Sequence, residues 1–517
     1  MKKTFSYLLT FLIIVLQSCS SKKKLIASKE AQYHFKKDSS KTYFTVIQLN
    51  DVYEIAPIQN GKYGGMARVE SIHQKILKED ENTMIVLAGD FLNPSLLGTI
   101  KVDGARVRGK QMVEVMNAMN FDLVAFGNHE FDLSHTHLQE RLNESNFEWI
   151  SANVLHNNSG KNHYFYKVKN GRKQNLEDSF IKEFKKTDGT ILKVGFISVC
   201  IPSNPKSYVF YGDMFEEIKR AYNEIKPKVD IVLGLTHVKI EHDKKIAELL
   251  PNIPLIMGGH EHTNKYEKIG GVTIAKADAN AKTIYIHRFE YDPLTKKVIV
   301  KSQLKEVNEK TESDESVKKI VDKWQTILHK KIKEVINNPE EAIYKVKTPL
   351  DARDTPIRSK QTNMGDVVTR AMSFSYNNVV DCALVNGGSI RIDDVLEGNI
   401  TAVDIFRVLP YGGDVLKVEL KGSLLKKVLD FGEKSSGTGA YLQRFRAEKQ
   451  NGNWVINNEL INKEKIYKVA FSDYLLKGFD IPFLSEKNPE VISVYKPNKN
   501  EIAVDIRKAV IEYLKSI

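Results

Sequence analysis

The stretch Ile253-Pro254-Leu255-Ile256-Met257-Gly258-Gly259-His260-Glu261-His262 runs from a short aliphatic segment, through two glycines, into a pair of histidines. Four earlier segments share that plan. TVIQLN (45–50) ends at Asp51, TMIVLAG (83–89) at Asp90, DLVAFG (122–127) at Asn128 and His129, and DIVLGLT (230–236) at His237. Short β-branched and aliphatic runs bounded by Gly or Asp are the pattern of strands buried on both faces of a mostly parallel sheet. Polar groups at the carboxyl ends of such strands gather at one edge, where open α/β folds bind their ligands. Two Asp, one Asn and three His brought to one edge form the donor set of a hydrolytic centre with two metal ions.

Between these runs the pattern changes to helical spacing. Gly64-Gly65-Met66-Ala67-Arg68 opens a helix with Val69, Ile72 and Ile76 on its apolar face, and GKQMVEVMNAMN (109–120) forms another. Strand–helix–strand order calls for right-handed parallel crossovers. Further on, GVTIAKA (271–277), KTIYIHRFEYD (282–292) and KKVIVKSQLKEV (296–307) alternate apolar and polar residues with no helix between them, and they read as antiparallel strands. The expectation is a layered α/β sandwich. Glu315 to Ile336 has no Gly or Pro, places Val317, Ile320, Val321, Trp324, Ile327 and Leu328 at helical spacing, and ends in lysines that suit the helix dipole. It reads as an amphipathic helix joining two domains.

Composition leaves room for a large core: of 517 residues, 42% are apolar and 27% charged. The formal charge of +12 is spread over many lysines, with no RNP-like aromatic run, zinc finger or long basic helix, so no nucleic-acid polymer is expected as a partner. It would still draw phosphate-bearing substrates towards the surface. At the start, Lys2 and Lys3 precede YLLTFLIIVLQ (7–17), an apolar stretch short for a membrane span. This predicts a secretory signal, and Leu16-Gln17-Ser18-Cys19 resembles a bacterial lipobox. That resemblance implies acylation at Cys19 and export to the cell envelope, with the membrane reached through an N-terminal lipid anchor. Residues 20–41 then read as a flexible tether. Cys200 and Cys382 each border a strand-like run and read as small buried residues, so no disulfide framework is expected.

Within the proposed centre, Asp90 suits a bridging position because a carboxylate has two oxygens to share. His237, His260 and Asn128 would complete one metal site, while Asp51 and His262 would serve the other. The pair Gly258-Gly259 is expected to let the backbone turn tightly enough to present both following histidines. His73, His135, His137, His242 and His287 match no such position and read as packing residues. Glu130 and Glu261 read as supports for the ligands.

Taken together, Asp51-x-Tyr53, Gly89-Asp90, Gly127-Asn128-His129-Glu130, Thr236-His237 and Gly259-His260-x-His262 resemble the five motifs of calcineurin-like metallophosphoesterases. Phe131-Asp132 and the C-terminal region narrow the resemblance to the 5′-nucleotidase family. The resemblance implies an α/β/β/α metallophosphoesterase sandwich over 42–310, a linking helix over 311–337 and a smaller α+β substrate-binding domain over 338–517, after the signal and lipobox of 1–19. It implies two divalent ions (Mn, Zn, Co or Mg) and a catalytic His129 held by Asp132. Charged imidazole suits a transferring phosphoryl group, and a carboxylate partner keeps such a ring oriented.

The family's first motif is Asp-x-His, and Tyr53 stands here in place of that histidine. A phenol, with pKa near 10, binds a divalent ion poorly until deprotonated. The metal on the Asp51 side is therefore weaker, or takes a water or the Tyr53 oxygen.

In the C-terminal region, Gln361-Thr362-Asn363-Met364-Gly365, Asn386-Gly387-Gly388-Ser389-Ile390-Arg391 and Leu409-Pro410-Tyr411-Gly412-Gly413 resemble the family's substrate-binding segments. Asn363 also reads as the N-cap of a helix through Met372. By resemblance, Arg358 and Arg391 hold the substrate phosphate, Tyr411 and Tyr474 sandwich the base, and Asp480 binds ribose, with Asn386 beside them. Substrate is expected between the domains, with a hinge near the linking helix. The implied activity is release of phosphate from nucleoside 5′-monophosphates. A 2′,3′-cyclic nucleotide phosphodiesterase or nucleotide-sugar hydrolase on the same scaffold is the near alternative. A catalytically silent, ligand-binding surface lipoprotein is the distant one.

Overall fold

The computed structural model describes residues 31–517 apart from 187, 204 and 393. The signal, the lipidation site Cys19 and the first half of the tether lie outside the described residues. The rest of the tether region is packed: Lys301 Nζ donates to His34 O at 2.6 Å, and Lys41 Nζ donates to Glu290 Oε1 at 2.8 Å.

The chain forms two compact units. One takes the described chain up to Phe91 and Met112–Val321, and the other takes Leu92–Gln111 and Asp322–Ile517. The boundary at Val321 falls inside the helix Glu315–Lys333, which buries Val317, Val321, Trp324, Leu328 and Ile332. Of the apolar face read from the sequence, Val317, Val321, Trp324 and Leu328 are buried and Ile320 and Ile327 half-buried, and Ile332 extends it by one turn.

The first unit contains two six-stranded sheets. One has Thr42–Leu49, Thr83–Ala88, Leu123–Ala125 and Glu148–Ile150 in parallel, with Thr283–Asp292 and Lys297–Glu306 added antiparallel at one side. The other has Ile191–Ile197, Ile231–Thr236, Leu255–Gly258 and Val272–Lys276 in parallel, flanked by antiparallel Ser179–Lys185 and Lys265–Ile269. The segment 271–277 therefore departs from the antiparallel expectation. It pairs parallel with Leu255–Gly258 on one side, and only its other edge is antiparallel.

Phe44, Val46, Val86 and Phe289 of the first sheet share one core with Phe196, Leu233, Leu235 and Met257 of the second. The other face of the second sheet packs Ile256 and Ile274 against Ile218 and Ala221 of the helix Met214–Ile225 and Ile246 of the helix Ile240–Leu249. Strands such as Thr83–Ala88 and Ile231–Thr236 are buried at every residue. Layers on both faces explain why they carry continuous apolar runs rather than alternation. The result is an α/β/β/α sandwich.

Gln48 bridges the two sheets through the core. Its Nε2 donates to Gly258 O at 3.1 Å and Ala275 O at 2.9 Å, while His287 Nε2 lies 2.8 Å from its Oε1. A fully satisfied polar bridge inside an apolar core fixes the register of one sheet against the other.

The second unit is α+β. Its five-stranded sheet runs Leu442–Phe445, Cys382–Asn386, Ile466–Ser472, Val415–Lys421, Val491–Tyr495, with one parallel pair, Cys382–Asn386 beside Ile466–Ser472. The helix Gly422–Lys434 covers it through Leu425, Val428 and Leu429, against Val418, Trp454 and Phe471. The helix Asn363–Phe374 is capped one residue earlier than expected. Thr362 is the N-cap, its Oγ1 accepting from Gly365 N at 3.1 Å. Asn363 is instead engaged with the preceding chain, accepting from Asp351 N and donating to Pro349 O, both at 2.7 Å. Cys200 and Cys382 are buried and free.

Candidate active site

In the first unit, both sheets deliver side chains to one rim. Asp51, Asp90 and Asn128 follow three adjacent parallel strands of the first sheet, and His237, His260 and His262 follow two adjacent strands of the second. Asp51, Asp90 and His237 offer ligand atoms that all lie within 4.8 Å of one another. His237 Nε2 is 3.1 Å from Asp90 Oδ2, and His262 Nε2 is 3.3 Å from Asp51 Oδ1. His260 donates its backbone N–H to Asp51 Oδ2 at 2.9 Å, and its ring centroid lies 5.4 Å from that of His237.

Backbone conformation aims these groups. Asp51, Asp90 and His260 all have left-handed φ, at 53°, 60° and 82°. The turn that presents the histidine pair is therefore made at His260 itself. Gly258 and Gly259 serve a different purpose from the one expected: a Cβ on Gly259 would overlap Ala88 O and stand 2.7 Å from His237 Nδ1. A Cβ on Gly127 would overlap the Asp90 carboxylate. Two loops can meet around the ligands only where no side chain separates their backbones.

The arrangement fits divalent cations. Asn128 Oδ1 is buried without a hydrogen-bond donor among the described residues, which a carbonyl-type oxygen tolerates when a cation faces it. His237 Nδ1 donates to Ala88 O at 2.7 Å, which turns Nε2 towards Asp90. A second hydrogen bond of this kind fixes the tautomer of a metal-binding imidazole.

The buried acids and imidazoles of this set hold one another's charge. Burial alone would raise the Asp51 carboxyl, but the His262 hydrogen bond and the charge of His237 hold it below its usual range. Burial likewise opposes ionisation of Asp90, and His237 and His129 outweigh it. His237 is pushed up to about 9: burial disfavours its charge, but the Asp90 carboxylate wins. His260 goes the other way, to about 3, through burial and the neighbouring His237. It is a neutral imidazole, ready to donate a lone pair.

Beside the ligands, His129 Nδ1 lies 2.8 Å from Asp132 Oδ2 within the single turn His129–Asp132, and His129 N donates to Asp90 Oδ1 at 2.7 Å. Tyr53 is buried, with its hydroxyl 3.0 Å from His262 Nε2 and 3.4 Å from Asp90 Oδ2.

Several supports lie behind the ligands: Glu130 and Glu261 are read as such from the sequence, while Asn50 and Lys276 are not. Glu130, fully buried, accepts from the backbone N–H groups of Gly127, Asp90 and Phe91 at 2.7–2.9 Å. Asn50 joins Asp51 Oδ2 to the backbone of Ala277. Lys276 has no exposed surface. It donates to Val238 O at 2.6 Å and Gly259 O at 2.8 Å and pairs with Asp243 and Glu261, so the loops carrying His237 and His260 share one buried cation. The sequence signal for Lys276 is only a lysine within an otherwise apolar strand.

In the second unit, three of the expected substrate residues form a connected group, joined by Ser389. Asp480 accepts from Asn386 Nδ2 at 2.8 Å and from the Tyr474 hydroxyl at 3.2 Å, and Ser389 Oγ donates to Asn386 Oδ1 at 2.6 Å. Burial raises the Asp480 carboxyl, with Tyr474, Asn386 and Arg358 opposing. Burial and Asp480 push the Tyr474 phenol up to about 12. Arg358 is buried, its Nη2 2.7 Å from Asp354 Oδ1, and Arg391 is half-buried, its backbone N–H donating to Val408 O. Tyr411 is 53% exposed and Tyr474 37%, each offering a ring face. Phe479, which no motif marks, lies 5.7 Å from the Tyr474 ring between centroids and is 71% exposed. Exposed aromatic faces beside a hydrogen-bonding carboxylate suit a flat heterocycle carrying hydroxyls.

Comparison with known proteins gives matches to both units. Residues 44–264 match the calcineurin-like phosphoesterase family, and residues 342–486 match the 5′-nucleotidase C-terminal domain. The 5′-nucleotidase of Homo sapiens is 26% identical over 474 residues, which span 81% of this chain and 78% of that protein. The trifunctional nucleotide phosphoesterase protein YfkN of Bacillus subtilis (strain 168) is 24% identical over 459 residues, 78% of this chain and 30% of its own. Among solved structures, the 5′-nucleotidase precursor from Thermus thermophilus shares the fold with a TM-score of 0.65 at 20% identity, covering 92% of this chain and 96% of that one.

Proposed function

Because this chain belongs to the 5′-nucleotidase family, joining a calcineurin-like phosphoesterase domain to a 5′-nucleotidase C-terminal domain, we propose that it releases phosphate from nucleoside 5′-monophosphates at a centre of two divalent metal ions. The observation that carries this reading is the cluster of Asp51, Asp90 and His237 ligand atoms within 4.8 Å, beside the His129–Asp132 pair. Asp90 would be shared between the ions, with Asn128, His237 and His260 on one side and Asp51 and His262 on the other. When bound, such ions make water nucleophilic near neutral pH and neutralise phosphoryl oxygens.

The chain's own groups do the rest. Asp132 accepts from His129 Nδ1, so Nε2 is the nitrogen turned to substrate, and a charged ring there stabilises the negative charge passing to the ribose oxygen. In the net reaction the bond from phosphorus to the ribose 5′ oxygen breaks, a bond from phosphorus to the water oxygen forms, and a proton reaches the departing oxygen. In the second unit, Tyr411 and Tyr474 would hold the base and Asp480 the ribose hydroxyls, with Arg358 and Arg391 assigned to the phosphate. A guanidinium fork matches phosphate oxygens in geometry.

The test is separation of the products formed from AMP (adenosine and phosphate), 2′,3′-cyclic AMP (a nucleoside monophosphate) and UDP-glucose (UMP and glucose 1-phosphate), each with Mn, Co, Zn and Mg in turn. Turnover greatest on AMP, and abolished in Asp90→Ala together with bound metal, is the expected result. Turnover retained by Asp90→Ala would defeat the assignment of the bridge. Turnover greatest on either of the other two esters would move the substrate to the near alternatives.

The same proposal extends to location. The charged, apolar and Ser18-Cys19 sequence at the start supports export and acylation at Cys19, at the face of a bacterial envelope membrane. Among the described residues no helix is long and apolar enough to cross a membrane. Radiolabelled palmitate incorporation that disappears in Cys19→Ala is the corresponding measurement.

A further inference from the structure

We infer that Tyr208 is a positioning residue for the phosphate-releasing step, its hydroxyl holding the turn that carries Asp132 and thereby aiming His129. The inference rests on the reading of His129 given above and adds to it a residue that no motif marks.

The turn His129–Asp132 is only four residues long. A single 3₁₀ turn closes few hydrogen bonds of its own, so its carbonyls need donors from elsewhere. Tyr208 supplies one. Its hydroxyl donates to Leu133 O at 2.7 Å and reaches Phe131 O at 3.2 Å, so one O–H is shared by the carbonyls on either side of Asp132. The Asp132 carboxylate is met from the same segment. Its Oδ2 lies 2.8 Å from His129 Nδ1, and its Oδ1 lies 3.8 Å from Nζ of Lys206, two residues before Tyr208.

Tyr208 is itself held in place. Val209 N donates to Lys206 O at 3.0 Å, and Asn157 N donates to Tyr208 O at 2.8 Å. The strand Val209–Tyr211 then pairs with Val154–Asn158, and the Tyr211 ring stands edge-on to Phe131, 5.9 Å between centroids. His135, which opens the following helix, meets the Tyr208 ring at 5.7 Å. Burial pushes the Tyr208 phenol up, with the charges of Asp132 and Glu130 adding to the shift, so it stays a neutral donor. A phenylalanine would fill the same space, but only the hydroxyl reaches the two carbonyls.

The direction of the His129 ring follows the carboxylate bonded to its Nδ1. Small displacements of a group that acts on the departing oxygen cost rate out of proportion to their size. Without the Tyr208 hydroxyl the two carbonyls lose this donor, the turn relaxes, and Asp132 carries the ring off line. The partners of the hydroxyl are carbonyls of the turn rather than metal ligands or groups assigned to the substrate. The loss therefore falls on kcat and spares KM and bound metal.

The experiment measures kcat and KM on AMP, with bound metal, for the full-length wild type, Tyr208→Phe, His129→Ala and the double variant. Tyr208→Phe is expected to lower kcat about tenfold, with KM, bound metal and circular dichroism as in the wild type. Added to His129→Ala, it should change kcat by less than about twofold, because residues that act through one another are not additive. The inference is overturned, while the assignment of His129 stands, if Tyr208→Phe turns over AMP as the wild type does. The same holds if it lowers kcat by an equal factor with and without His129, or only through loss of metal. If His129→Ala itself keeps the wild-type kcat, both readings fall.

Discussion

The carboxylate of Glu130 accepts the backbone N–H of Asp90 at 2.9 Å, so a side chain on one rim loop fixes the direction of the carboxylate on the next. The same group holds Gly127 N and Phe91 N, three donors on two loops gathered by one buried acid. Replacing it by glutamine keeps the shape but turns an amide N–H₂ towards one of those donors. Glu130→Gln should cost about 1–3 kcal/mol in denaturant unfolding, because a buried donor is left facing another donor. It should also weaken metal uptake by about 10–100-fold. Wild-type values for both would mean that the clamp does not set the ligand geometry.

The His129 ring meets Asp132 and its backbone N–H donates to the Asp90 carboxylate, yet it sits outside the predicted ligand set. His129→Ala should therefore lower kcat on AMP by about 10²–10³, with metal content and KM near wild type. A fall in bound metal would place His129 among the ligands instead.

His287, buried between Ser302 and Gln48, is pushed down to about 3 by burial. An unfolded histidine titrates near 6.5, so below that pH the unfolded chain takes up a proton that the folded protein refuses. Folding stability contributed by this group is present above about 6.5 and is lost as pH falls from about 6.5 towards 3, at up to about 1.4 kcal/mol per pH unit. His287→Gln removes that proton, and urea unfolding of the metal-free protein across this window should show a slope shallower by one proton. An unchanged slope would show that the imidazole charges without leaving its site.

Tyr474 presents its ring beside Asp480 and Phe479. Removal of one stacking ring costs about 1–3 kcal/mol, so Tyr474→Ala should raise KM for AMP about tenfold. Ribose 5-phosphate, which has no base, should be hydrolysed by the variant as by the wild type. Equal losses on both substrates would point to a folding defect or to a role in the chemistry.

Much of the first unit is legible in the sequence because buried parallel strands leave unbroken apolar runs, and the residue after each run is forced to the rim. That is why Asp51, Asp90, Asn128, His237, His260 and His262 can be picked out from the chain alone, and why they come to the same rim in the fold. What fails to show is of two kinds. Local alternatives between neighbouring residues, such as Thr362 or Asn363 as the helix cap, turn on which side chain points back to the first turn and which is drawn to Asp351 and Pro349. Long-range partners leave no periodic trace: Lys276 under two loops and Gln48 across the sheets, while Glu130 shows as a support without showing which three backbone donors it holds. The parallel pairing of Val272–Lys276 belongs with these, since alternation specifies a half-buried strand and not the direction of its neighbour.

The contacts of Gly127 with the Asp90 carboxylate and of Gly259 with Ala88 and His237 leave no volume for even one methyl group. Descendants of this scaffold cannot explore new chemistry by decorating those two positions, because any addition would push apart the loops that gather the ions. Diversification is channelled instead to side chains that already project into open space, Tyr411, Tyr474 and Phe479 foremost. The enzyme is thereby divided into an unyielding reactor and an adaptable selector, and libraries meant to change which ester it cleaves should begin with the aromatic trio.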